Sequence, residues 1–302
     1  FQPVLCCCYD VDHHLTGVLL GVMIRESGGI KRRFSSRVVV YGGPVIEKGS
    51  QNSVIVLRIL FQKLIEETEK DSIFIQVRAA YAMASFSGNL GELGFTWSPR
   101  LNLLIDTTDK KKVWREISAS RRRQIRKSFK NGAELISDIS EEQLQAFYHI
   151  LKQLYSEKVK KPLPGYSFFM AFHQLNKEGK HGRIFLVTYH GRVIGGIMAP
   201  SGKYGNVYEW YVCGLDQEFK SKGIYPSVLA TWAAIDYAIK NGFKMFDFMG
   251  VGKPNEDYGV RDFKMRFGGS VVNYGRYIRI NNRFLYTISE FGYNILSLLK
   301  KV

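Results

Sequence analysis

A lysine between two phenylalanines, in the stretch YGVRDFKMRFGG from Tyr258 to Gly269, is one place where this chain could do chemistry. A cation held in a dry site stabilises negative charge that develops in a reaction, and a proton acceptor beside it completes the pair. The residues equally allow a strand in which Phe263 and Phe267 face a core and Lys264 faces water. Asp247, in FDFMG from Phe246 to Gly250, is the candidate acceptor. Its carboxylate can position an amine, take its proton, or simply pair with a lysine. His13, His14, His149, His173, His181 and His190 show no metal-ligand or triad spacing, so no metal is expected. Cys6, Cys7, Cys8 and Cys213 fit neither a zinc site nor a disulfide framework, and the adjacent three read as small buried residues of a strand.

Positive charge is densest in WREISASRRRQIRKSFKNG, from Trp114 to Gly132. On a helix spanning Lys111 to Asn131, Arg122, Arg126 and Lys130 form one row, and Arg123 with Lys127 forms the next. Arg121 falls instead in line with Ile117, Ile125 and Phe129, where an arginine needs a partner. Two readings stay open for this face: solvated surface, or contact with the phosphates of a polyanion such as tRNA. The chain as a whole carries 43 Lys and Arg against 27 Asp and Glu, a net charge of +16, which favours polyanionic partners without choosing among them.

The elements that must position these residues show an internal repeat. Val18 to Met23 parallels Val193 to Met198; Ser53 and Val54 open a helical stretch as Ser227 and Val228 do; strand IFIQV from Ile73 parallels MFDFM from Met245. The offset stays near 172 to 175 in each case. Each copy reads as hairpin, strand, helix, strand, which gives an α/β (α+β) fold with mixed sheets. Two domains follow, 1–135 and 136–302. Ser140 with Gln143 predicts a capping box opening a helix to about Val159, and a shorter helix is expected from Tyr166 to Lys177. No apolar run reaches the ~20 residues of a membrane span. Cytoplasmic residence is expected, and the opening of the chain directly into strand-like VLCCCY implies that N-terminal structure precedes it. The tail from Arg283 to Val302 reads as a helix docked on the second domain, with peripheral contact at the inner membrane face as the alternative.

The element order resembles the GNAT acyltransferase fold, and the Tyr258 to Gly269 stretch resembles the motif that closes the second domain of Fem-type aminoacyltransferases. Phe263, Lys264, Phe267, Gly268 and Gly269 match that motif at the same spacing. Trp114 followed by an arginine-rich helix resembles the corresponding Fem segment, and Asp247 with Gly250 resembles its aspartate-bearing strand. The resemblance implies tandem duplicated GNAT-like domains, in a member without a coiled-coil arm. It implies transfer of an amino acid from aminoacyl-tRNA to an amine of a phosphorylated or lipid-linked peptidoglycan precursor. Lys264 would stabilise developing charge with Phe263 beside it. Lys161, Tyr166, Tyr208, Tyr211, Tyr258 and Arg261 would contact substrate; Arg121, Arg122, Arg123, Arg126, Lys127 and Lys130 would contact tRNA or phosphate. No cofactor is expected. GNAT enzymes hold coenzyme A on a loop resembling Q/R-x-x-G-x-G/A, but here the stretch is Lys220 to Pro226, with Tyr225 and Pro226 in place of the second small residue and an amide donor. An acyl-thioester-dependent N-acyltransferase and a noncatalytic RNA- or precursor-binding module are the alternatives.

Overall fold

The computed structural model describes residues 1–25, 29, 34–47, 52–160, 162–176, 180–202 and 205–299, the last eight of these by backbone alone. They form two compact units: the first is Phe1–Leu101 with Asn273–Val302, the second Asn102–Val272. The division expected at 135/136 is not where the chain divides. The basic helix belongs with the second unit, and the tail belongs with the first.

The first unit opens with the hairpin β1 (Gln2–Tyr9) and β2 (Leu15–Ile24), followed by β3 (Arg37–Gly42), β4 (Val45–Ile46), α1 (Ser53–Thr68), β5 (Phe74–Ala79), α2 (Ser87–Glu92) and β6 (Thr96–Ser98). Alternation sets the faces. Leu19 and Met23 of β2, Val38 and Val40 of β3, and Ile75 and Val77 of β5 point to one side, where Leu57, Leu60, Phe61 and Leu64 of α1 cover them. Burying each such side chain contributes about 1.5–3 kcal/mol. Cys6 and Cys8 lie in this core as expected, whereas Cys7 points outward and is exposed.

The second unit runs through β7 (Leu101–Asp106), α3 (Lys110–Glu116), α4 (Ala119–Lys130), β8 (Ala133–Ile136), α5 (Glu141–Leu154), α6 (Tyr166–Leu175), β9 (Gly182–Tyr189), β10 (Arg192–Pro200), β11 (Asn206–Tyr208), β12 (Tyr211–Gly214), α7 (Asp216–Phe219), α8 (Pro226–Lys240), β13 (Met245–Gly250), α9 (Gly259–Met265) and β14 (Ser270–Asn273). The single helix expected over 111–131 is two. Ser118 adopts an extended conformation at the junction and its hydroxyl accepts the Arg121 N–H, so the chain stops one helix and caps the next. The Ser140–Gln143 capping box forms. Its helix ends at Leu154, and a π-turn over Tyr155–Val159 completes the expected length. The helix from Tyr166 closes at Leu175, and Lys177 lies outside the described residues.

The chain then returns to the first unit with β15 (Arg276–Ile280) and α10 (Arg283–Leu299). Strand β15 completes the order β1-β2-β3-β5-β15-β6, with β4 on β2. Helix α10 docks within this unit: Tyr286 meets the Phe74 ring edge-on at 5.6 Å, and the Ser289 hydroxyl donates to the Phe34 carbonyl at 2.9 Å. Docking on the second domain was the expectation, but β15 carries the tail back to the first sheet. No helix among the described residues is long and apolar enough to cross a membrane.

Both units repeat one plan. Strand β3 runs parallel to β5 across α1, and β11 runs parallel to β13 across α8. Each pair follows an antiparallel hairpin, β1–β2 or β9–β10. In the second unit the sheet is split in two, β12-β10-β9-β8 and β11-β13-β7-β14.

Candidate active site

The split falls at Glu209 and Trp210. The Glu209 N–H donates to the Asp247 carbonyl on β13 at 2.9 Å, and the next N–H, of Trp210, donates to the Met198 carbonyl on β10 at 3.1 Å. One peptide bond thus passes from one sheet to the other, and the strand is broken at this point. On the β13 side the parting is enforced by Met249, held at φ +59°. Its N–H donates to Asp247 Oδ1 at 2.6 Å, where the pairing with β11 stops and the pairing with β7 shifts register before resuming at Gly250 and Asn102.

A charge cluster lines this parting. Lys264, 7% exposed, lies on α9, not on a strand. Its ammonium reaches Glu209 Oε1 at 2.8 Å and the Phe248 carbonyl at 2.6 Å. An ammonium has three donors, so one N–H is left for a substrate oxygen. Glu209 is buried too, and its Oε2 has no hydrogen-bond partner among the described residues. Asp247 is fully buried; burial above all raises its pKa to about 6, and the Glu209 charge adds to the rise, while the Met249 N–H, Asn102 and Lys264 oppose it. Asn102 Nδ2 sits 3.4 Å from Asp247 Oδ1. At neutral pH most of this carboxyl is ionised, which suits a proton acceptor. Sequence reasoning missed Glu209, although an acid inside the apolar run VYEWYV was a signal: a carboxylate in a buried strand needs a cation.

Aromatic rings wall the cluster. Tyr211 packs on Phe169 at 5.0 Å and on Tyr155 at 6.2 Å, and Trp210 stacks on Phe168 at 6.0 Å. Burial raises the Tyr155 phenol, which stays a proton donor. Tyr208 ends β11 and Tyr258 caps α9.

The motif's glycines are explained by backbone crowding. Gly269 sits at φ +93°, and a Cβ there would come 2.4 Å from the Leu104 carbonyl oxygen; Gly268, at φ +85°, would press its Cβ on Glu116. Phe267 is buried against Phe248. The FGG end therefore docks α9 on β7 and α3.

Several expected contacts are engaged with the protein itself. Arg121 is buried on α4, its guanidinium 4.3 Å over the Phe263 ring and 5.5 Å over Phe267, and it donates to Gln124 and the Phe263 carbonyl. Burial lowers its pKa to about 10, with Arg266 adding and Asp216 opposing. Phe263 thus faces the basic helix, while the Lys264 ammonium lies against the Phe248 ring. Arg122 donates to the carbonyls of Trp114, Arg115 and Ile117, closing the end of α3. Arg261 holds the carbonyls of Val251 and Lys253. The Tyr166 hydroxyl donates to the Glu141 carbonyl. Arg123, Arg126, Lys127 and Lys130 are exposed, with Arg126 over the Trp114 ring; Phe129, expected on the apolar stripe, is exposed as well. Lys161 lies outside the described residues.

The loop before α8 is occupied from within. The Tyr225 N–H donates to the Ser128 hydroxyl at 2.9 Å, the Ser227 N–H to Asp216 Oδ1 at 3.3 Å, and Asn131 donates to the Lys222 carbonyl at 2.6 Å. Pro226, at the first helical position, has no N–H.

Residues 119–265, from the first residue of α4 to the last of α9, match the acetyltransferase (GNAT) domain family. No curated protein sequence matches the chain. Among solved structures, FemX is similar with a TM-score of 0.71 and 14% identity, covering 95% of this chain and 90% of that one. L-PGS from Bacillus licheniformis is similar with a TM-score of 0.58 and 13% identity, over 93% and 87% of the two chains. A tandem GNAT protein from the clavulanic acid biosynthesis pathway gives 0.57 and 10%, over 93% and 84%.

Proposed function

We propose, for a chain that is a GNAT-superfamily acyltransferase with the Fem-type tandem fold, that the reaction is transfer of an aminoacyl group from aminoacyl-tRNA to an amine of a peptidoglycan precursor peptide. The observation that carries this reading is the buried Lys264, held by Glu209 and the Phe248 carbonyl at the broken strand with Asp247 beside it. The acceptor nitrogen attacks the ester carbonyl carbon and a C–N bond forms. Negative charge gathers on the carbonyl oxygen, where the third N–H of Lys264 meets it. Asp247 takes the proton that the attacking amine loses; the ester C–O bond then breaks and the ribose oxygen leaves, protonated in turn.

The interior occupation of the loop before α8 supports tRNA over coenzyme A as donor. The Asp216 carboxylate already stands at the start of α8, where a pyrophosphate would need N–H groups and positive potential. The exposed Arg123, Arg126, Lys127 and Lys130 offer phosphate contacts without base specificity. Likeness to the GNAT family keeps acyl thioesters as the rival donor, and likeness to L-PGS makes a lipid headgroup the rival acceptor.

The deciding experiment incubates the chain with labelled aminoacyl-tRNAs or acetyl-coenzyme A, each against lipid-linked muropeptides, nucleotide-linked muropeptides and phosphatidylglycerol vesicles. Label should pass from aminoacyl-tRNA to a muropeptide amine. Transfer only from coenzyme A, or only to phosphatidylglycerol, replaces this reading with its rival.

A further inference from the structure

The first unit carries a second charge cluster that the reaction above leaves unused. Strand registers place Tyr41 beside Arg78 and Arg78 beside Arg276, with Ser98 next to Arg276, so four strands contribute one row. This row lies on the face opposite the core residues Val40, Val77 and Tyr277. Arg100 joins it. Its N–H donates to the Asn273 side chain at 3.0 Å, and its carbonyl accepts the Gly275 N–H at 3.2 Å, immediately before Arg276.

Arg78 and Arg276 therefore share one row, and Arg100 lies near enough for its charge to act on Arg276. Arg78 lies 5.1 Å over the Tyr41 ring and donates to Gln76 at 2.8 Å. Burial first, then the charges of Arg78 and Arg100, lower the Arg276 pKa to about 10. No carboxylate among the described residues pairs with any of the three. Other arginines of this unit do find acids: Arg25 with Asp71, Arg58 with Glu92, and Arg279, three positions along the same strand, with Glu69. Like charges gathered in a half-buried place are costly without an anion. The forked donors of arginine, with the Tyr41 and Ser98 hydroxyls, match phosphoryl oxygens, and a single carboxylate would leave most of the charge uncompensated.

We infer that Arg78, Arg100 and Arg276 form a binding site in the first unit for a phosphoryl group carrying at least two negative charges. The ligand is a soluble phosphate or diphosphate ester, or the same group borne by a lipid. Binding here requires no acyl donor, so it stands or falls apart from the transfer reaction.

Calorimetric titration of the full chain with inorganic pyrophosphate tests this, alongside flotation with phosphatidic acid vesicles, whose phosphomonoester headgroup carries more than one negative charge. Arg276→Gln and Arg78→Gln should each weaken pyrophosphate binding at least about tenfold, and Arg276→Lys, which keeps charge but loses the fork, by less. Arg58→Gln, a surface arginine of the same unit, should leave affinity unchanged. Thermal midpoints accompany each titration, and Arg276→Gln should not lower its own, since it relieves repulsion; Arg78→Gln and Arg100→Gln carry the test if it does. Vesicle binding that depends on Arg276, without pyrophosphate binding, assigns the phosphoryl group to a lipid headgroup. Absence of both, or equal weakening by Arg58→Gln, overturns the site.

Discussion

The two units share a plan and differ at one strand. In the first, β3 is continuous and pairs with β2 on one side and β5 on the other, Val38, Val39 and Val40 are all buried, and the sheet is unbroken there. In the second, the corresponding strand is broken into β11 and β12. The break gives a carboxylate, a lysine and an aspartate a place inside the domain. Copying a scaffold preserves its core; opening one strand of the copy makes room for chemistry.

The comparison breaks most completely if the charge cluster is removed. Lys264→Ala should lower kcat by about 10²–10³-fold, as expected for loss of one charge-stabilising donor. It should also destabilise the chain by about 3–5 kcal/mol, because Glu209 is left as a buried charge. Adding Glu209→Leu should restore most of the thermal midpoint but none of the rate; recovery of the rate would make the pair purely structural. Next, Gly269→Ala should cost about 3 kcal/mol, since both the positive φ and the Leu104 carbonyl oppose a methyl group; chemical denaturation reads this directly.

A smaller effect sharpens the comparison through pH. The Asp247 pKa of about 6 means that activity should fall as pH drops through 6, and Asp247→Asn should flatten that limb while lowering the plateau. Stability runs the other way. The folded state binds this proton more tightly than the unfolded chain does, so Asp247 favours folding more at pH 4 than at pH 7, and Asp247→Asn should remove that trend. Ser128→Ala should cost about 1–2 kcal/mol by orphaning the Tyr225 N–H, without conferring coenzyme A binding by calorimetry, because Asp216 remains. Smallest of all, Arg126→Ala or Lys130→Ala should reduce the salt slope of tRNA affinity by about 1 each in a filter-binding series.

Much of the scaffold was legible. Alternation and helical spacing located the repeated strands and helices, and Ser140 and Pro226 marked helix starts through local chemistry that needs no tertiary context. The break between α3 and α4 was harder, because Ser118 competes for a helix that charge spacing alone would continue. Lys264 was found through its motif, but its helical, buried setting depends on Glu209, 55 positions earlier in sequence. Arg121 was expected to need a partner on its apolar stripe, and the Phe263 and Phe267 rings under its guanidinium, set 142 and 146 positions later in the sequence, are that partner. Long-range pairings of this kind leave no periodic trace.

The Asp216 carboxylate at the start of α8 has a pharmacological consequence. Nucleotide-diphosphate scaffolds that inhibit coenzyme A-dependent acyltransferases rely on a helix start that is open to anions. Here the Asp216 side chain already holds the Ser227 N–H, so with the donor proposed above compounds of that type should bind weakly, which calorimetry with coenzyme A checks. The same helix start is thus a point where this chain and coenzyme A-dependent enzymes can be told apart by ligand binding alone.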